Sequence, residues 1–249
     1  MTGVHTRVVC PPDSWTLRSE EERRSAAVFS DLLALLADGE VPLDVLREVH
    51  GVVGDEIRHA QMCADMASAL GAPRPRSQLL PRAGLEPITA EERRRRALEI
   101  VLVEGAIGET ISSALFAAGR RSTEEPQARA TLSRILADEA IHARCFWRLL
   151  DRLLSPGDAE HLADVVSDAL GAIEQVQVVP SLESLARGDP FDPEWAALGV
   201  LAPAARVDAF YGAIDKRVLP ALTSRGMDGS GVWAARYTNL RRGEEEHVA

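Results

Sequence analysis

Two copies of the pattern Asp-Glu-x-x-His constrain this chain more than any other feature: Asp55-Glu56-Ile57-Arg58-His59 and Asp138-Glu139-Ala140-Ile141-His142. Each lies deep within an amphipathic helical pattern, and positions i and i+3 of a helix share a face. Each motif therefore aims a carboxylate and an imidazole at one point. Buried charge is costly without a partner, so the two faces are expected to meet each other. The predicted fold is all-α, with the motif helices facing. A single Glu-x-x-His says little; a third copy, Glu244 to His247, falls by coincidence in the charged tail.

Composition agrees with helix-on-helix packing. Hydrophobic residues make up 46% of the 249 residues and aromatics only 4%, whereas strands favour β-branched and aromatic side chains. The net charge of −10 leaves no basic stripe to neutralise phosphates, so no nucleic-acid partner is expected. The basic run Arg93 to Arg96 reads as the solvated first turn of a helix. Cys10, Cys63 and Cys145 form no even disulfide framework, which fits a reducing compartment. No signal peptide and no membrane span stand out. A soluble, cytoplasmic protein without a membrane partner is expected.

Helix punctuation sets the organisation. A first helix is predicted to start near Asp13 or Ser19, ending at Asp38 with Gly39 as its stop. Pro42 opens a second, running to about Leu70 and Gly71. The Pro-rich stretch GAPRPRSQLLPRAGLEP is long enough to carry the chain from one end of a bundle to the other. Thr89 and Glu92 form a capping box for a third helix ending near Gly119, and Pro126 opens a fourth that continues to Leu154. Two antiparallel hairpins joined by a long crossover is the ferritin-like form of the four-helix bundle. About three further helices are expected, over 158–178, 203–224 and 230–242, with 180–195 irregular. The division is then a flexible N-terminus (1–12), the bundle (13–155), a C-terminal helical extension packed on it (156–242) and a disordered tail (243–249).

Iron accepts both carboxylate and imidazole, and two facing Glu-x-x-His motifs supply half-sites for two metal ions. The partner helices must add carboxylates. On the first helix Glu22 continues the stripe Ala26, Phe29, Leu33, Leu36, and at 1.5 Å per residue it reaches the height of Glu56. The competing reading is a Ser19–Glu22 capping box, and Glu21 takes the role if the register slips. On the third helix Glu104 interrupts the apolar run Leu98 to Ile111 and matches Glu139 in height within two residues. Glu104 is therefore favoured, with Glu109 as an outer or mobile extra carboxylate. Asp55 and Asp138 are placed to accept from the other ring nitrogen of a ligating histidine, across the bundle as Asp55–His142 and Asp138–His59; local i,i+4 pairing or plain surface placement is the alternative.

Over about residues 20–150 the chain resembles the ferritin-like di-iron carboxylate superfamily: rubrerythrins, ribonucleotide reductase radical subunits, bacterial multicomponent monooxygenases and related small oxygenases. The motifs that carry the resemblance are DEIRH (55–59) and DEAIH (138–142), supported by Glu22 and VEGAIGE (103–109). It implies Glu22, Glu56, His59, Glu104, Glu139 and His142 as ligands of two iron ions, with manganese as the alternative metal. Radical subunits carry a tyrosine one turn after the first motif histidine, where this chain has Cys63; methane-monooxygenase-like hydroxylases have cysteine there. The only tyrosines are Tyr211 and Tyr237, and there is no Cys-x-x-Cys pair for a rubredoxin-type module. Cys63 also fits a small core residue.

The resemblance thus implies a di-iron oxidase or monooxygenase that activates dioxygen to oxidise a small organic substrate. Its electrons would come from a separate ferredoxin or reductase, and a homodimer is the expected assembly. Gly105 and Gly108 would leave room for substrate or serve close helix packing. A rubrerythrin- or ferritin-like peroxidase or iron-handling protein is the alternative.

Overall fold

The computed structural model describes residues 10–39, 41–73 and 89–237, and the described residues are helical with connecting turns. Helix α1 (Pro11–Ala37) begins two residues before the expected Asp13, so the segment 1–12 is not wholly a flexible arm. Proline is tolerated in a first turn because its missing N–H has no intrahelical acceptor to reach. Helix α2 (Leu43–Ala69) follows, and Gly71 leaves it at φ +92°, a conformation that suits glycine. Most of the Pro-rich connection, 74–88, lies outside the described residues, as do 1–9 and the tail 238–249.

Thr89 accepts from Glu92 N while the Glu92 carboxylate accepts from Thr89 N, the reciprocal cap expected there. It opens a continuous rod made of α3 (Ala90–Ile100), a π-helical segment (Val101–Gly108) and α4 (Glu109–Ser122). This rod is long and apolar enough to cross a membrane by length and composition, but 56% of its most apolar window is buried inside the protein. Helix α5 (Pro126–Leu153) starts at a proline, with the Glu125 carboxylate accepting from Gln127 N and Ala128 N.

Helix α1 packs along α2, α5 packs along α4 and the π segment, and α1 meets α3 while α2 meets α5. Apolar side chains close the interior on both sides of a polar layer. On one side Phe29, Val49, Val52, Leu102 and Phe146 belong to the larger cluster, where Phe29 and Phe146 stack at 4.7 Å. On the other, Trp15, Cys63, Met66, Phe116, Leu132 and Ile135 form a smaller one.

Beyond Gly157 lie α6 (Asp158–Gln177), α7 (Val179–Arg187), α8 (Pro193–Ala197), α9 (Pro203–Ala213) continued through a π turn (Ile214–Val218) into α10 (Leu219–Thr223), and α11 (Gly229–Ala235). The expectation that 180–195 is irregular is corrected: α7 and α8 occupy much of it. Pro180 and Pro193 fall in first turns, where they start helices rather than break them, and the Asp192 carboxylate caps α8 by accepting from Glu194 N. Helix α9 packs on α4 and α7, and α6 packs on the π segment and α11. Arg94, from the basic run, donates from Nη1 to Asp158 at 3.0 Å and so ties α3 to α6.

Candidate metal centre

Six buried side chains converge between α1, α2, α4 and α5. Their oxygen and nitrogen atoms fall into two groups, Glu22–Glu56–His59–Glu139 and Glu56–Glu109–Glu139–His142, each with its atoms within 4.8 Å of one another. Glu56 and Glu139 belong to both groups. All six residues are at most 6% exposed. His59 and His142 face each other with ring centroids 5.9 Å apart.

Crossed contacts hold the two halves together. His59 Nδ1 lies 3.2 Å from Glu139 Oε1 and 3.5 Å from Glu22 Oε2, while His142 Nδ1 lies 3.0 Å from Glu56 Oε1 and 3.8 Å from Glu109 Oε2. Yet neither Nδ1 has a partner in hydrogen-bond geometry, and neither do Glu56 Oε1 and Glu109 Oε2. Close approach without alignment is what donors aimed at a common point produce. Burial pushes Glu56, Glu109 and Glu139 well above the ordinary carboxylate range, and their neighbouring carboxylates push Glu56 and Glu139 further. Burial opposes a charge on His59, but Glu139 and Glu22 outweigh it and raise the imidazole to about 10. The cluster carries more acid than its two imidazoles can neutralise. Its buried, unaligned oxygens and nitrogens fit a pair of metal ions bound through carboxylate and imidazole.

The outer nitrogens are fixed across the interface in the arrangement expected from the motifs. His59 Nε2 lies 3.2 Å from Asp138 Oδ2, and His142 Nε2 lies 3.1 Å from Asp55 Oδ2. Sequence reasoning missed what joins these aspartates. Arg58 Nη2 donates both to Asp55 and, at 3.0 Å, to Asp138, so one guanidinium spans both histidine partners; Arg134 adds a contact to Asp138 at 3.1 Å. The signal was present, because Arg58 follows Asp55 by one turn inside the first motif.

The expected ranking on the third helix is reversed. Glu109 is 5% exposed and sits in the cluster, whereas Glu104 turns outward and takes a two-point ion pair from Arg24 at 2.8 and 3.3 Å. The expectation ended the helix at Gly119; it runs to Ser122, so Glu109 stands 13 residues before its end just as Glu139 stands 13 after Pro126, and the two share a height. The stripe runs Leu98, Val101, Leu102, Gly105, Ala106, Glu109, Ser113, Phe116. Gly105 marked it: a Cβ there would lie 2.4 Å from the Phe146 ring. Gly105 therefore serves close packing, and Gly108 faces the carbonyl of Val103 in its own helix.

The other expected residues are simpler to place. Glu22 does not cap a helix with Ser19: both lie well inside α1, and Ser19 Oγ donates to the Ala60 carbonyl at 2.8 Å. Glu21 is exposed and belongs to neither group, so the register does not slip. Cys63 is fully buried in the smaller apolar cluster, one turn beyond His59.

Comparison of the chain with protein-family models, with curated proteins and with solved structures yields no match.

Proposed function

We propose that this protein is a non-haem di-iron oxidase or monooxygenase that oxidises a small organic molecule with dioxygen, on a ferritin-like bundle formed by α1, α2, the α3–α4 rod and α5. The observation that carries the reading is the set of unaligned buried atoms. Of the seven buried side-chain atoms without a hydrogen-bond partner among the described residues, four belong to these six side chains. Unsatisfied buried polar atoms are costly and rare, so their concentration at one point calls for a cation.

Glu22 and His59 would hold one ion, Glu109 and His142 the other, and Glu56 and Glu139 lie within reach of both. Iron would supply dioxygen activation and one-electron chemistry, drawing electrons from a separate ferredoxin or reductase. The chain's own contribution is positional. Asp55 and Asp138 fix the histidine rings, Arg58 ties the two aspartates together, and the apolar layers on both sides keep water from the carboxylates.

Excess Fe(II) added under air should saturate near two irons per chain, with substrate-dependent oxygen uptake. Loading with tens of irons per chain would replace the oxygenase reading with iron storage. Saturation at two with fast peroxide consumption and no organic substrate would favour a peroxidase.

A further inference from the structure

The outer side of α2 is as regular as its inner side. The inner side carries Val49, Val52, Glu56, His59 and Cys63, all buried. Opposite, at the helical period, runs the stripe Arg47, Gly51, Gly54, Ile57, Gln61, Asp65, all exposed. Ile57 at its centre is 59% exposed. On α5, Ile141 is 54% exposed and lies one turn from Asp138, which contacts Arg58 of α2, so Ile141 flanks the same face. One exposed isoleucine would be ordinary. Here each motif helix turns one outward, and a single chain gives neither a cover.

The two glycines sharpen this. Both lie well inside α2 and neither has a positive φ. A Cβ built on either would meet nothing within 4 Å. Glycine inside a helix destabilises it relative to alanine, and no turn or tight contact within this chain requires it at 51 or 54. Gly105 differs, because the Phe146 ring occupies the place of its Cβ. Beside Ile57, the bare backbone at Gly54 leaves a hollow next to a knob.

The charges at the ends of the stripe say what fits there. Arg47 stands at one end and Asp65 at the other, about 27 Å apart along the axis. Asp65 accepts from Gln61 Nε2 at 2.8 Å, which keeps its carboxylate on this face. Laid antiparallel on the stripe, a second copy brings each Arg47 opposite the partner's Asp65. The midpoint of that pairing falls near residue 56, so Ile57 meets the partner's Ile57 beside the axis and covers the partner's Gly54. A parallel copy would set arginine on arginine and aspartate on aspartate. A surface that complements itself only when reversed is what a two-fold axis requires.

We propose that the outer face of α2, flanked by Ile141 of α5, is the interface of a two-fold symmetric dimer of this chain, with the two α2 helices antiparallel. Each copy would then brace the back of the helix whose inner side carries the other's Glu56 and His59. The interface does not depend on the oxidase reading.

Sedimentation equilibrium of the full chain at micromolar concentration tests it, with circular dichroism reporting that each variant is folded. The wild-type chain should have twice the chain mass. Ile57→Lys should be a folded monomer, because the side chain it replaces is exposed. Arg47→Asp and Asp65→Arg should each weaken the dimer several-fold, since two ion pairs become two repulsions, and the double variant should recover most of the loss. A monomeric wild-type chain overturns the proposal and leaves the face to a different protein. A dimer that Ile57→Lys leaves intact overturns it too, as does a double variant no stronger than the weaker single one. If Ile57→Lys fails to fold, the Arg47 and Asp65 series decides alone.

Discussion

Among the described residues, carboxylates are buried in two places and treated in opposite ways. Glu174 on α6 is 3% exposed, yet each of its oxygens is occupied: Oε1 accepts from Tyr211 Oη at 2.6 Å, and Oε2 accepts from Arg236 Nε at 2.6 Å and from Tyr237 Oη. Burial alone would raise its carboxyl, but those hydrogen bonds outweigh it and hold it below the ordinary range. Glu56, Glu109 and Glu139 are as deeply buried and are raised instead. The difference is the supply of donors. Glu174 has a cation and two phenols from its own chain and needs nothing more. The cluster between the long helices has two imidazoles for four glutamates, a shortfall of positive charge that bound metal ions could supply.

The sharpest way to break this comparison is to remove a shared carboxylate or an imidazole. Glu56→Ala or His142→Ala should lose most of the roughly two metal ions expected per chain, measured by elemental analysis; full occupancy in both would make the cluster a structural one. Glu174→Ala should do the reverse, leaving the metal content intact while costing about 3–5 kcal/mol of stability by stranding Arg236, read from chemical denaturation.

The two regions should also respond to pH with opposite sign. A depressed carboxyl such as Glu174 stabilises above its unfolded value, near 4.5, and that stability is lost as pH falls through the lower folded value. Raised carboxyls stabilise in their protonated form, so metal-free protein should lose stability as pH climbs from about 4.5 through the raised values, and metal should cancel the loss. Melting curves of the metal-free protein between pH 5 and 8 that are flat, or that rise throughout, would contradict this.

A smaller effect is expected one shell out. Asp55→Asn and Asp138→Asn should weaken metal binding by about 10–100-fold without abolishing it, as measured by chelator competition. Smallest of all is Glu104→Ala. Its pair with Arg24 is partly exposed, so less than about 1 kcal/mol should be lost and metal retained, whereas Glu109→Ala should impair metal binding. Metal loss in Glu104→Ala alone would restore the ranking read from the sequence.

Five of the six clustered residues were legible in the sequence because their helices are regular. Glu56, His59, Glu139 and His142 follow from i,i+3 spacing, and Glu22 follows from counting rise along two helices joined by a short turn. Both aspartate contacts were readable from the same logic. Glu109 was not, because the counting started from Gly119, three residues short of the helix's end at Ser122. The long-range groups were illegible for another reason. Glu174 and Tyr211 come from separate helices and Arg236 from the turn after α11, and Arg18 meets Gly199 across 181 residues; no periodicity within one helix encodes such a meeting.

The π segment joins two lengths of the third rod and ends directly before Glu109. Each length on its own is an ordinary amphipathic helix, with Leu98 on one and Phe116 on the other. Taking one residue out of Val101–Gly108 would rotate everything after it by about 100°, swinging Glu109 away from the histidines while the apolar residues of α4 lost their seats against α5. The eight residues work like a shim between two machined parts. The winding of those eight residues sets the angle at which α4 presents Glu109.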